Sequence, residues 1–216
     1  MEEGAKEIRF REDYHVKYRR MFGKQRPPLP QIVEAYRDYA PPCNAVRDVE
    51  MLLRHIPPEY LNGLQSIVLS NSLGLSRDER RQKIWSRNRK VQLSECRGWY
   101  SQSTPARGAR ITLLVDNIFR GAGRFGLRIG LFRNVVLADV LYHEVGHHIH
   151  ATRRPEYRGK EDIAETWRAK LEKRLFRERY WYLLPIALPI KLAMDLKGDV
   201  LRLVRYVKRR IPPKKH

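Results

Sequence analysis

A chain of 216 residues, 42% hydrophobic and 10% aromatic, can bury one sizeable core, and these proportions exclude wholesale disorder. Two cysteines, Cys43 and Cys96, exclude a disulfide scaffold, and with no CxxC pair they exclude a cysteine-based zinc site. The 44 Lys and Arg against 24 Asp and Glu leave a net charge of +20, a field that favours polyanions but does not decide the chemistry.

Residues 1–30 are charged, end in Pro27-Pro28-Leu29-Pro30 and read as a basic N-terminal arm. No apolar run of signal-peptide length follows Met1, so a cytoplasmic location is expected. Apolar residues at helical spacing, Ile32, Val33 and Tyr36 and then Val46, Val49, Leu52 and Leu53, predict two helices within 31–56, divided at Ala40-Pro41-Pro42. Short β-branched runs predict strands at 65–70 and 110–115, with a third at 97–101. Residues 76–90 fit a solvated helix or a long hairpin, and periodicity does not choose between them.

After a glycine-marked connection, Asn134 is expected to cap a helix over 135–150 that buries Leu137, Leu141, Val145 and Ile149. A loop with Pro155 and Gly159 leads to a second helix over 161–179. The expected class is α+β, with a small mixed sheet packed on the first of these helices and a helical C-terminal part. Residues 31–179 form the expected catalytic domain, and 180–216 an extension that is apolar and then basic. Its apolar part, 180–194, falls short of the ~20 residues a spanning helix needs and holds two prolines. It is expected to pack on the core or to lie at a membrane interface.

Chemistry concentrates in His143-Glu144-Val145-Gly146-His147, an HExxH motif inside a predicted helix. Histidines four residues apart lie one turn above each other on one face, so both rings can reach one metal ion. Glu144 is rotated from that pair but can still contact water at the metal, as a metal-assisted hydrolase requires. Gly146 leaves room for another backbone to approach. The extension to a third histidine fails, because His150 stands at the glycine position and Arg153 at the histidine position. His150 lies ~10 Å along the axis from His143, which makes it a rim or supporting residue, and His148 is expected at the surface.

The next helix offers Glu161 and Glu165 on one face with small Ala164 beside them. One carboxylate can ligate the metal while the other accepts the free N–H of a ligand histidine, fixing its tautomer. The spacing leaves open which does which.

His143-Glu144-xx-His147 followed by Glu161-xx-Ala164-Glu165 resembles the gluzincin metallopeptidases, the group that includes thermolysin and neprilysin. The short gap is also similar to the minimal gluzincins and to the ImmA/IrrE-type peptidases. The resemblance covers residues 110–175 and implies Zn2+ as cofactor, Glu161 as third ligand and Glu165 as the acid supporting a ligand histidine. It further implies Glu144 as general base, a protein or peptide substrate, and a zincin-like fold whose edge strand binds substrate antiparallel. Glu165 stands where the family more often has aspartate. Tyr157, Tyr142 and His55 are candidate donors to the oxyanion.

Three basic clusters, 17–26, 77–90 and 202–215, point to contact with nucleic acid or an anionic membrane surface. Trp85 and Tyr206 within them are the aromatic residues available for stacking on bases. They support a second reading, a basic nucleic-acid-binding or regulatory protein in which the zincin fold is structural. Cys43 is expected to be an idle thiol rather than a latency ligand.

Overall fold

A computed structural model of the protein describes residues 28–86, 89–105, 107–153 and 160–183. Most of the basic arm, residues 154–159 with Tyr157 among them, and the extension beyond residue 183 lie outside the described residues. The elements run β1 (Gln31–Ala35), α1 (Ala45–Arg54), β2 (Leu64–Ser70), α2 (Arg77–Arg81), β3 (Lys83–Ser86), β4 (Arg89–Gln92), β5 (Gly98–Ser101), β6 (Ala109–Leu114), α3 (Val115–Ile118), α4 (Arg124–Arg128), α5 (Gly130–Arg153) and α6 (Lys160–Arg179).

The main sheet has the order β1-β2-β6-β5, with β1, β2 and β6 parallel and β5 antiparallel at one edge. The class is therefore mixed α+β with a small mixed sheet. Its two central strands face each other in the register Ile67↔Ile111 and Leu69↔Leu113, four side chains with no solvent exposure. Such apolar, β-branched runs suit strands covered by helices.

The first predicted helix is a strand instead. Residues 31–35 pair with β2 as Ile32↔Ile67 and Val33↔Val68. Prolines at 28, 30, 41 and 42 leave too few residues for a stable helix, whereas a five-residue edge strand gains its hydrogen bonds from β2. The strand then ends at a turn in which Asp38 has φ of 49°. Asn71 secures that turn, donating to the Arg37 carbonyl and accepting from the Arg37 amide.

The ambiguous stretch 76–90 resolves into both alternatives in succession. Ser76 and Glu79 form a capping box that starts the short α2, and a β3–β4 hairpin follows. Chain polarity explains the choice: α2 has no buried residue, so no apolar face exists to lengthen it.

α5 spans 24 residues, starting four residues before the expected cap. Asn134 lies inside it, buried, and its side-chain amide donates to the Tyr180 hydroxyl at 2.7 Å. Leu137, Leu141, Val145 and Ile149 are buried as expected. The helix is covered on further sides too. Tyr142 is fully buried with its hydroxyl donating to the Leu52 carbonyl of α1, and β5 lies so close that a Cβ on Gly98 would sit 2.9 Å from Val140. α6 packs antiparallel on α5, fixed at one end by Gly146 against Ala164 and at the other by Asn134 against Tyr180. Among the described residues, no helix is long and apolar enough to cross a membrane.

Candidate metal centre

The site is built where α5 and α6 approach most closely. A Cβ on Gly146 would stand 2.7 Å from both Cα and O of Ala164, which is itself fully buried. Only glycine on α5 and a small residue on α6 permit this backbone separation. The consequence is local: His143 and His147 flank Gly146, Glu161 and Glu165 flank Ala164, and Glu161 reaches both histidines while Glu165 reaches His143.

Within that group the Nε2 atoms of His143 and His147 are 3.2 Å apart. Glu161 reaches both, with Oε2 at 3.4 Å from His143 Nε2 and Oε1 at 3.6 Å from His147 Nε2. The two Glu161 separations run to different oxygens, one to each histidine, and taking one ligand atom from each residue all three lie within 4.8 Å of one another, close enough to share one ion. The buried Oε2 of Glu161 has no hydrogen-bond partner, which fits an acceptor held for a cation. His143, His147 and Glu161 are thus a group that could hold a metal ion.

Glu165 lies on the other side of the His143 ring: its Oε2 is 3.6 Å from Nδ1, the ring atom opposite the one that faces Glu161. Arg168, one turn further along α6, grips both Glu165 oxygens and also bonds Glu172 at 2.8 Å and Asp139 of α5 at 3.0 Å. The Glu165 carboxylate, bonded first among these partners, holds the Arg168 guanidinium well above its ordinary pKa, while burial raises that of Glu172. Burial, and then the charges of His150 and Lys160, push His147 down to about 4. A ring so biased is neutral near pH 7 and presents a lone pair without first losing a proton.

Glu144 is buried, 7% exposed, on the same helix turn. His150 is buried too, within electrostatic reach of His147. His148 is a correction: it is fully buried, not at the surface. Its Nε2–H donates to the Asn62 carbonyl at 3.0 Å, so Nδ1 accepts from the Tyr100 hydroxyl at 3.2 Å. Desolvation lowers its pKa, and the Asn62 bond partly offsets that. A helix covered by the sheet on a second face needs such a residue to satisfy the strand and loop facing it. No sequence motif marks Tyr100, and only the three-dimensional path of β5 brings it to His148.

Of the candidate oxyanion donors, Tyr142 is ruled out because its hydroxyl is tied to α1. The Nδ1 of His55 bonds the Met51 carbonyl within its own helix, and Tyr157 is outside the described residues. Cys43 is half-buried, and burial followed by the Asp48 charge pushes its thiol up to about 11, opposing a thiolate. Comparison of the chain with known protein families, with curated proteins and with solved structures finds no match.

Proposed function

We propose that the protein is a zinc-dependent peptidase of gluzincin type with a zincin-like fold. The observation that supports the proposal is the convergence of the two histidines of an HExxH helix with a third ligand, the Glu161 carboxylate, close enough to share one ion. His143, His147 and Glu161 would hold Zn2+. The bound ion supplies a Lewis acid that acidifies water and polarises the scissile carbonyl. Glu144 accepts a proton from the attacking water and returns it to the leaving amine as the C–N bond breaks. Glu165, whose Oε2 lies 3.6 Å from Nδ1 of His143, would accept the Nδ1–H on a small approach and so keep Nε2 directed at the ion.

The substrate is an extended peptide. β5 is an edge strand, antiparallel to β6 and packed against α5, and its outer edge carries no other strand among the described residues. A peptide can add to that edge through main-chain hydrogen bonds. Reconstituted with Zn2+, the chain is expected to bind one ion and cleave an unfolded protein such as casein. Chelation should abolish cleavage, and Zn2+ should restore it. Cleavage by a metal-free chain, or a chain that takes up no Zn2+, would overturn the reading.

The Glu165 role gives a separate expectation. Glu165→Gln should weaken Zn2+ binding by roughly 10–100-fold, the usual effect of losing a carboxylate that supports a ligand histidine. Arg168→Met should give part of that loss, because the carboxylate it releases is free to turn away. Competition against a chromophoric chelator measures both, and unchanged affinity in Glu165→Gln would remove the assignment.

A further inference from the structure

The aromatic end of the α5–α6 pair lies opposite the metal ligands and has no part in the proposed chemistry. Among the described residues, seven large hydrophobic side chains are exposed, and five of them sit there: Ile129, Phe132, Phe176, Trp181 and Tyr182. Trp181 is 64% exposed and Tyr182 55%, values unusual for such residues unless something covers them. Phe176, Tyr180 and Tyr182 form a ladder of tilted rings with centroids 5.7 and 6.5 Å apart. Exposed cations surround it: Arg128 before α5, and Lys173, Arg177 and Arg179 on the last turns of α6. The exposed anion among them, Glu178, is already bonded to Arg174 at 2.8 Å.

Trp and Tyr with arginines beside them are the side chains that settle at the headgroup level of a bilayer. The sequence continues in kind from this point. Beyond residue 183 come Leu184, Ile186, Leu188 and Ile190, and then Lys208-Arg209-Arg210 and Lys214-Lys215. Apolar area and positive charge are the two signals that together give stable peripheral binding to anionic lipid. A protein partner would need neither this excess of cations nor its continuation in the tail.

We infer that this end of the helix pair docks the protein on membranes rich in anionic lipid. The inference is independent of the peptidase reading and fixes an orientation for it. At ~1.5 Å per residue, the path along α6 from Tyr180 to Glu161 holds the metal ligands about 28 Å away from the docking end.

The test uses the full chain and vesicles of phosphatidylcholine with or without phosphatidylglycerol. The chain should sediment with the anionic vesicles, and brominated acyl chains should quench its tryptophan fluorescence, a quenching largely lost in Trp181→Phe. Combining Phe132→Ser, Trp181→Ser and Tyr182→Ser should reduce partitioning at least about tenfold, since these rings supply the buried apolar area. All three are exposed, so circular dichroism should be unchanged. Partitioning equal to the parent chain would mean that basic segments alone hold the vesicle and would overturn the inference. So would failure to bind vesicles while binding RNA, or a dimer that the three substitutions dissolve. Protection of Trp181 from acrylamide without lipid would show that the chain covers this end itself, with the same consequence.

Discussion

Glu144→Gln is expected to lower turnover of an unfolded protein substrate by roughly 10²–10⁴, the range assigned to a positioned general base. That corresponds to about 3–5 kcal/mol of transition-state stabilisation. The amide matches the carboxylate in shape, so the buried position between His143 and Val145 should be filled as before. It cannot accept the proton from water, and that is the property removed. Metal content should not change, because Glu144 is outside the group formed by His143, His147 and Glu161. A chain with full metal and little activity is therefore the expected phenotype. Glu144→Asp should fall between, since it keeps the base but draws it back by one methylene. Equal cleavage by Glu144→Gln and the parent chain would sink the mechanism, and loss of metal in this variant would assign Glu144 to the ligand set.

The parts of this site that depend on local spacing were legible in the sequence. Two histidines four residues apart and two glutamates four residues apart must each share a helical face, whatever the fold. Spacing alone did not tell which glutamate faces the Nε2 atoms, because that depends on how α6 is rotated and where it crosses α5; only the family resemblance pointed to Glu161. The strands 65–70 and 110–115 were visible because each carries a short β-branched and leucine-rich run, Ile67-Val68-Leu69 and Ile111-Thr112-Leu113-Leu114, that the sheet largely buries. β1 was not, because its short run has a helical spacing and becomes a strand only by pairing with β2. His148 failed for a related reason. A helix expected to bury one face is covered on others, so a histidine placed at the surface has its two ring nitrogens tied to Asn62 and Tyr100. The charge of +20, conspicuous from the outset, says little about the metal group and more about the surface that carries Trp181 and Tyr182.

Gly146→Ala is expected to damage the site more than the fold. Alanine in a helix interior gains roughly 0.5–1 kcal/mol over glycine. Against that, the new Cβ would stand 2.7 Å from Cα and O of Ala164, and backbone cannot rotate away as a side-chain tip can. Overpacking of this kind costs typically ~1–3 kcal/mol, so the two terms leave a net loss of about 2 kcal/mol or less. For a domain of this size that is a fall in Tm of at most roughly 8 °C. The geometric effect is larger in consequence. Restoring ordinary contact means opening the gap from 2.7 to at least 3.4 Å, and α6 carries Glu161 and Glu165 with it. Ligand distances must hold to about ±0.2 Å, so Zn2+ affinity should fall by more than about tenfold while most of the stability remains. Gly98→Ala is the control. Its Cβ would press on Val140 at 2.9 Å, perturbing the contact between β5 and α5 without displacing α6. It should lower Tm comparably and leave Zn2+ affinity near that of the parent chain. Equal Zn2+ affinity in Gly146→Ala and the parent chain would show that the close crossing of the two helices does not set the ligand geometry.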